Sequence, residues 1–180
     1  MSENKTPVDV LIVVDMQVDF TTGALGSPEA EAIIPDVVRK VWEFDGPVFY
    51  TRDTHGENYL ETEEGKHLPV IHCVKGTEGW QLIPELRERA DDTAFIVDKP
   101  AFGSFELSEK LKSLEEEQGI SSITLIGLCT DICVVSNALI LKAAFPEVPV
   151  KVDSACCAGI TPELHNKALD VMKSCQVEVY

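Results

Sequence analysis

Short apolar runs that end in a polar residue recur along the chain. The first covers residues 9–14 and stops at Asp15, and its unbroken, β-branched character is typical of a strand buried on both faces of a sheet. Between such runs, apolar residues recur at helical spacing, as at Leu107, Leu111 and Leu114. The pattern predicts strands at 9–14, 48–51, 94–97, 122–128, 148–152 and 177–180, and helices at 28–44, 80–90, 104–118, 134–144 and 162–174.

The order of these elements is the β-α-β alternation of a doubly wound α/β sheet. It predicts a three-layer architecture, in which a mainly parallel sheet carries helices on both faces and the crossovers are right-handed. A length of 180 residues, of which 44% are apolar, suits one core, so residues 1–180 are expected to form a single domain. In such sheets, ligands bind beyond the carboxyl ends of the strands, and we look for chemistry at that edge.

Charge and composition narrow the class of protein. The 31 acidic residues outnumber the 15 basic ones and give a net charge of −16, which would repel nucleic acid. The amino terminus is polar and the apolar runs are too short to span a bilayer, so we expect a cytoplasmic protein without a membrane partner. The six cysteines are interpreted as thiols, most of them ordinary core residues.

Polar residues that could react follow four of the predicted strands. Asp15, Asp53, Lys99 and residues 129–133 all fall just after a strand, on one edge of the sheet. Cys133, at the start of a helix, would be the nucleophile, with Lys99 favouring its thiolate and Asp15 acting as general base and then as acid. Alternatively, Asp15 and Lys99 form an ion pair that closes the sheet edge, and Cys133 is a core thiol.

A long polar stretch after residue 53 contains three of the four histidines. Imidazole and carboxylate donors at this density suit zinc, iron or manganese. The alternative is a solvated acidic loop with surface histidines. The candidate ligands are Asp53, His55, Glu64, His67 and His72.

Several aromatic residues near the predicted strand ends could wall a flat ring, or could simply pack in the core. The fourth histidine, His165, lies on a predicted helix without an evident partner, and we interpret it as structural or exposed. The aromatic candidates are Phe20, Tyr59, Phe102, Phe105 and Trp80.

Taken together, four motifs resemble the isochorismatase-like cysteine hydrolases, and within them the nicotinamidases. The motifs are VVDMQVDF at 13–20, TRDTH at 51–55, VDK at 97–99 and GLCTDICV at 127–134, so the resemblance covers nearly the whole chain. It implies a Rossmann-like parallel sheet and a triad of Asp15, Lys99 and Cys133. It also implies a cis peptide bond entering Cys129 that turns the backbone N–H groups of Cys129 and Cys133 toward an oxyanion.

The resemblance further implies one divalent metal, with zinc favoured over iron or manganese. Asp53, His55 and His72 match the ligands of nicotinamidases, and we expect Glu64 as the fourth ligand, with His67 as its competitor. The implied reaction converts nicotinamide to nicotinate and ammonia through a thioester, in a homo-oligomer, with Phe20, Tyr59 and Phe102 contacting the substrate. The alternatives are a hydrolase of another small amide or carbamoyl compound, and a catalytically silent binding or redox-sensing module.

Overall fold

One parallel sheet organises the computed structural model, which describes residues 6–90 and 95–180. Within these residues the strands are β1 (Val8–Val14), β2 (Val48–Asp53), β3 (Ile96–Lys99), β4 (Ile120–Leu128), β5 (Val150–Ala158) and β6 (Glu178–Val179). They lie in the order β3-β2-β1-β4-β5-β6, and every neighbouring pair is parallel. This confirms the Rossmann-like doubly wound sheet.

Helices cover both faces of the sheet because the strands are apolar on both sides. On β1, Val10 and Ile12 pack into one core, whereas Leu11 and Val13 pack into the other. The first core receives side chains from the helices at Phe105–Glu117, Val135–Ala144 and Pro162–Ser174, and the second from those at Pro28–Ala32, Ile34–Glu43 and Pro84–Arg87. The helices are α1 (Val18–Thr21), α2 (Pro28–Ala32), α3 (Ile34–Glu43), α4 (Glu63–His67), α5 (Pro84–Arg87), α6 (Phe105–Glu117), α7 (Val135–Ala144) and α8 (Pro162–Ser174).

The prediction of one continuous helix over 28–44 was wrong, because the structure has two helices there. Helix α2 ends at Ala32, and α3 begins at Ile34 with Pro35 in its first turn. Proline has no N–H to donate and its ring clashes with the carbonyl four residues earlier, so one helix cannot run through Pro35. The start of a new helix is where proline fits.

Other predicted boundaries also differ from the structure, and β2 reaches Asp53 while β4 begins at Ile120. The helix predicted over 80–90 is only α5, which begins at Pro84. Strand β3 runs to Lys99, later than predicted, and Ala94 lies outside the described residues, as do Met1–Lys5. Strand β5 is longer than predicted and reaches Ala158. None of the helices in the described part of the chain is long and apolar enough to cross a membrane.

Strands β1 and β4 lie side by side at the centre of the sheet, where the strand order reverses. Gly127 of β4 has φ +112°, and a Cβ there would lie 2.1 Å from the carbonyl oxygen of Val14. Glycine therefore lets the two strands approach closely just before their carboxyl ends. A cleft at such a reversal is the usual ligand site of doubly wound sheets, and the polar strand-end residues surround it here.

Candidate active site

Asp15, Lys99 and Cys133 meet at this reversal, although 34 or more residues separate Cys133 from the other two along the chain. Lys99 Nζ lies 2.7 Å from Asp15 Oδ2 and 3.5 Å from Cys133 Sγ, so the ammonium lies between the carboxylate and the thiol. All three side chains are buried. The predicted grouping of base, cation and thiol is therefore present in the structure.

Each partner of Cys133 is itself oriented by the ends of the strands. Thr51 of β2 donates its hydroxyl to Asp15 Oδ1 at 2.6 Å. The Lys99 ammonium donates to the carbonyl oxygen of Ala101 at 3.1 Å, in addition to contacting Asp15 and Cys133. The Asp15 carboxylate, whose Oδ2 lies 2.7 Å away, balances the buried charge of Lys99.

The structure changes our expectation for the protonation of Cys133. Burial raises the pKa of this thiol well above its usual range, the Asp15 carboxylate raises it further, and Lys99 only partly opposes them. Burial also raises the pKa of Asp15, whereas the Lys99 ammonium lowers it. Burial therefore favours the neutral thiol at Cys133, against the thiolate that we expected from Lys99 and the helix start.

Cys133 does not begin the apolar helix itself. It lies in a single π-helical turn, Thr130–Val134, that links β4 to α7. The peptide bond between Leu128 and Cys129 is cis, as the family resemblance implied. Cys129 and Cys133 both line the same cavity. All six cysteines are free, in agreement with their interpretation as thiols.

A second cluster of side chains lies next to the triad. Asp53 Oδ2 is 2.8 Å from His55 Nε2 and 3.4 Å from His72 Nε2, and Glu64 Oε1 is 3.6 Å and 3.8 Å from the same two nitrogens. One donor atom from each of the four residues lies within 4.8 Å of all the others. Asp53 Oδ1 also lies 3.6 Å from Lys99 Nζ, so the two clusters adjoin.

The hydrogen bonds of this cluster fit a divalent cation. His72 Nδ1 contacts the carbonyl oxygen of Val70 at 2.7 Å, which leaves Nε2 with a lone pair facing the cluster. His55 Nε2 and Asp53 Oδ1 are buried without a hydrogen-bond partner in the described part of the chain. Buried polar atoms are rarely unsatisfied, and a cation among these donors would satisfy them.

His67 does not join this cluster. Its side chain is 77% exposed, and its Nδ1 lies 2.9 Å from the carbonyl oxygen of Glu63 within α4. One turn of α4 therefore turns Glu64 inward and His67 outward. Of the two competitors for the fourth ligand, only Glu64 is near the histidine nitrogens.

A cavity of about 410 Å³ opens between the triad and the metal-binding cluster. Cys133, Asp53, Glu64 and His72 line it together with apolar residues that include the predicted Phe20 and Phe102. Among the described residues that line the cavity, Asp53 and Glu64 are the carboxylates, and no lysine or arginine is present. The cavity therefore suits a small, neutral, flat molecule that reaches from the thiol to the cluster.

The remaining aromatic candidates lie elsewhere. Tyr59 is fully buried behind the cluster, with its ring centroid 4.5 Å from that of His55 and 4.9 Å from that of His72, so we correct its predicted substrate contact to a packing role. Phe105 is 77% exposed, and Trp80 stacks on Arg52 at 3.7 Å. His165 lies 2.8 Å from the Thr130 hydroxyl and thus contacts the π-helical turn.

Three buried polar residues of the site were not singled out from the sequence. Thr51 orients Asp15, as described above, Gln17 hydrogen-bonds the backbone of Asp53, and Asn137 hydrogen-bonds the carbonyl oxygen of Cys133. Gln17 and Thr51 lie within the quoted motifs. The signal that could have identified them is a polar residue beside an apolar strand. Asn137, inside a largely apolar helix, gave the same signal.

A nucleophilic thiol between a proton acceptor and a cation, at the reversal point of a parallel sheet, is the apparatus of an α/β cysteine hydrolase. The isochorismatase domain family matches residues 9–180, and the chain belongs to that family.

Several relatives within this family are named as nicotinamidases or pyrazinamidases. The chain is 24% identical to a nicotinamidase of Saccharomyces cerevisiae, with 94% of this chain and 97% of that protein covered. It is 26% identical to a nicotinamidase/pyrazinamidase of Mycobacterium tuberculosis, with coverage of 94% and 96%. The crystal structure of the pyrazinamidase of Pyrococcus horikoshii in complex with zinc superposes with a TM-score of 0.77 at 31% identity, covering 97% of this chain and 99% of that one.

Proposed function

We propose that this protein hydrolyses nicotinamide to nicotinate and ammonia. The observation that carries the proposal is that Cys133 and three members of the metal-binding cluster, Asp53, Glu64 and His72, line one cavity. An amide carbon placed at the thiol then allows a ring nitrogen to face the cluster. The nicotinamidase relatives support the same substrate.

The first half of the reaction forms a thioester. Cys133 sulfur attacks the amide carbon while its proton passes to Asp15, the carboxylate that shares the Lys99 ammonium with the thiol. The backbone N–H groups of Cys129 and Cys133 are the proposed donors to the oxyanion. The C–N bond breaks as Asp15 returns the proton to nitrogen, and ammonia leaves.

The second half releases the acid. A water attacks the thioester carbon and gives one proton to Asp15, the C–S bond breaks, and that proton returns to the sulfur. Lys99 stays charged throughout and stabilises the negative charge as it moves between Asp15 and the sulfur, since it lies within 3.5 Å of both. The cycle ends with the neutral thiol from which it began.

We assign Asp53, His55, Glu64 and His72 as ligands of one divalent ion, with zinc as the first choice. The ion, when bound, would provide a Lewis acid that orients the ring nitrogen directly or through a water. The zinc complex of the Pyrococcus horikoshii relative supports this choice. The cytoplasmic location and the homo-oligomer remain predictions from the sequence and the family resemblance.

Ammonia release from nicotinamide, measured with zinc and after removal of metal by a chelator, tests the proposal. We expect release that falls on chelation, returns with zinc, and is abolished by Cys133→Ala but not by Cys175→Ala, because Cys175 is exposed and far from the cavity lining. A panel of other small amides and carbamoyl compounds is assayed beside it. Hydrolysis of one of those, with none of nicotinamide, would refute the substrate, and full activity of Cys133→Ala would refute the nucleophile.

A further inference from the structure

The side chain of Gln17 takes the place of a missing strand partner beside Asp53. Strand β1 pairs with β2 up to Val14, and Asp15, with φ +47°, then turns the chain out of the sheet. The backbone of Asp53 therefore needs another partner on its β1 side. Gln17 supplies both bonds, because its Oε1 accepts from the Asp53 N–H at 2.7 Å and its Nε2 donates to the Asp53 carbonyl at 2.8 Å.

The same carboxamide ties this strand end to the next loop. Gln17 Nε2 also donates to the carbonyl oxygen of Trp80 at 2.8 Å, and the Trp80 indole N–H donates to the Thr54 hydroxyl at 2.8 Å. Gln17 has no exposed surface, so water cannot replace these bonds. The position of Asp53, which contacts both histidines of the cluster, therefore depends on Gln17.

Asn137 of α7 makes an equivalent set of bonds in the other half of the site. Its Nδ2 donates to the carbonyl oxygens of Cys133 and Phe102, at 2.8 Å and 3.1 Å, and its Oδ1 accepts from the Ser104 N–H at 3.0 Å. This side chain is also fully buried. It joins the turn that carries Cys133 to the segment that follows Lys99, and so fixes the spacing between thiol and ammonium.

We propose that Gln17 and Asn137 are positioning residues that divide the site between them: Gln17 sets the geometry of the metal-binding cluster, and Asn137 sets that of the nucleophile. The assignment of Gln17 rests on the proposed metal, and the catalytic consequence of Asn137 on the proposed reaction. Neither residue touches the reacting atoms in this scheme. The two roles separate because the two sets of hydrogen bonds share no residue.

The test compares Gln17→Met and Asn137→Leu, which keep side-chain size but remove the hydrogen bonds. Zinc affinity is measured by competition with a chromophoric chelator, and kcat for nicotinamide is measured at saturating zinc. Gln17→Met should weaken zinc binding by about 10–100-fold, the usual effect of losing a partner of a metal ligand, and lower kcat by a clearly smaller factor, since Asp53 reaches the triad only through its 3.6 Å contact with Lys99. Asn137→Leu should lower kcat by about 100-fold and leave zinc affinity within about twofold.

Matched controls are the exposed amides Gln118→Met and Asn166→Leu, which should change neither quantity. If a buried variant does not fold, Gln17→Glu and Asn137→Asp replace it, since each keeps the acceptor oxygen and exchanges the donating amide nitrogen for a carboxyl oxygen. Equal losses of zinc affinity and kcat in both variants, or parental values in either, would overturn the division of roles.

The proposal can also be separated from the proposed function. If the parent releases no ammonia from nicotinamide, the rate at which iodoacetamide alkylates Cys133 is measured in place of kcat. Asn137→Leu should lower this rate about tenfold, because Lys99 would no longer lie close enough to Cys133 to stabilise its thiolate. Parental alkylation by that variant would overturn the role of Asn137. If the parent binds no zinc, the metal assignment fails, and the role of Gln17 fails with it, whatever the fate of Asn137.

Discussion

Replacing Lys99 by methionine should destabilise the protein far more than an ordinary ion-pair loss. The Lys99 ammonium is buried, lies 2.7 Å from Asp15 Oδ2 and 3.6 Å from Asp53 Oδ1, and is the cation that both carboxylates share. Methionine fills the same space without the charge. Asp15 would then remain buried with only the Thr51 hydroxyl as a strong partner.

The size of the expected loss of stability follows from the burial of this ion pair. A second ion pair of equal length, which is partly exposed, serves as the comparison. Lys40 Nζ also lies 2.7 Å from Asp153 Oδ2, but its side chain is 30% exposed. Breaking a buried pair on one side costs about 3–5 kcal/mol, whereas a partly exposed pair contributes about 0–1 kcal/mol. We therefore expect Lys99→Met to lower the melting temperature by roughly 6–20 °C, and Lys40→Met by no more than about 4 °C.

Urea denaturation and thermal melts of metal-free protein measure this difference without any assumption about substrate. The double variant Lys99→Met, Asp15→Asn removes both charges and should regain most of the lost stability while remaining inactive. Asp15 in the single variant should take up a proton more readily, because only the Thr51 hydroxyl then opposes the effect of burial on its pKa, and kcat should fall by about 100-fold or more. A loss of stability no larger than that of Lys40→Met would refute the argument.

Two further predictions concern the metal-binding cluster and the thiol. His55→Ala should weaken zinc binding by more than about 100-fold, whereas His67→Ala should leave the zinc affinity unchanged, because His67 is exposed on α4. Competition with a chelator measures both affinities. Equal losses of affinity in the two variants would restore His67 as a ligand. Alkylation of Cys133 should rise about tenfold per pH unit between pH 7 and 9 without a plateau, because burial raises its pKa above 9 and the thiolate fraction grows with pH. Peptide mapping separates Cys133 from the exposed Cys175, and a plateau below pH 8 would show a resting thiolate instead.

The sequence was sufficient for the sheet and for the reactive residues because both depend on strand ends. Unbroken apolar runs mark strands buried on both faces, and parallel strands deliver the residues that follow them to one edge. Asp15, Lys99 and Cys133 are therefore grouped by topology before any side-chain contact is known. The histidine-rich loop likewise indicated a metal site, because it contains several imidazole and carboxylate groups within a short stretch.

The features that the sequence did not predict depend on backbone geometry and long-range contacts, which the spacing of apolar residues does not report. Apolar spacing continues across Pro35, although the backbone there cannot. Tyr59 and Phe20 are both aromatic residues near strand ends, yet only Phe20 lines the cavity, because the 3-10 turn Tyr59–Glu61 directs Tyr59 behind the histidines. Gln17 and Asn137 act through backbone groups of distant residues, which no local pattern reveals.

The protonation of Cys133 connects the burial of the site to its chemistry. A thiolate formed permanently beside Lys99 would be reactive toward any small electrophile that entered the cavity. Here burial and Asp15 favour the neutral thiol, and in the proposed reaction the proton moves from the sulfur to Asp15 and then to the amide nitrogen. Lys99 cannot shift this balance alone, because Asp15 and Asp53 share its charge. The nucleophile is thus generated during attack on an amide, and the same carboxylate that suppresses the resting thiolate supplies the proton that ammonia requires.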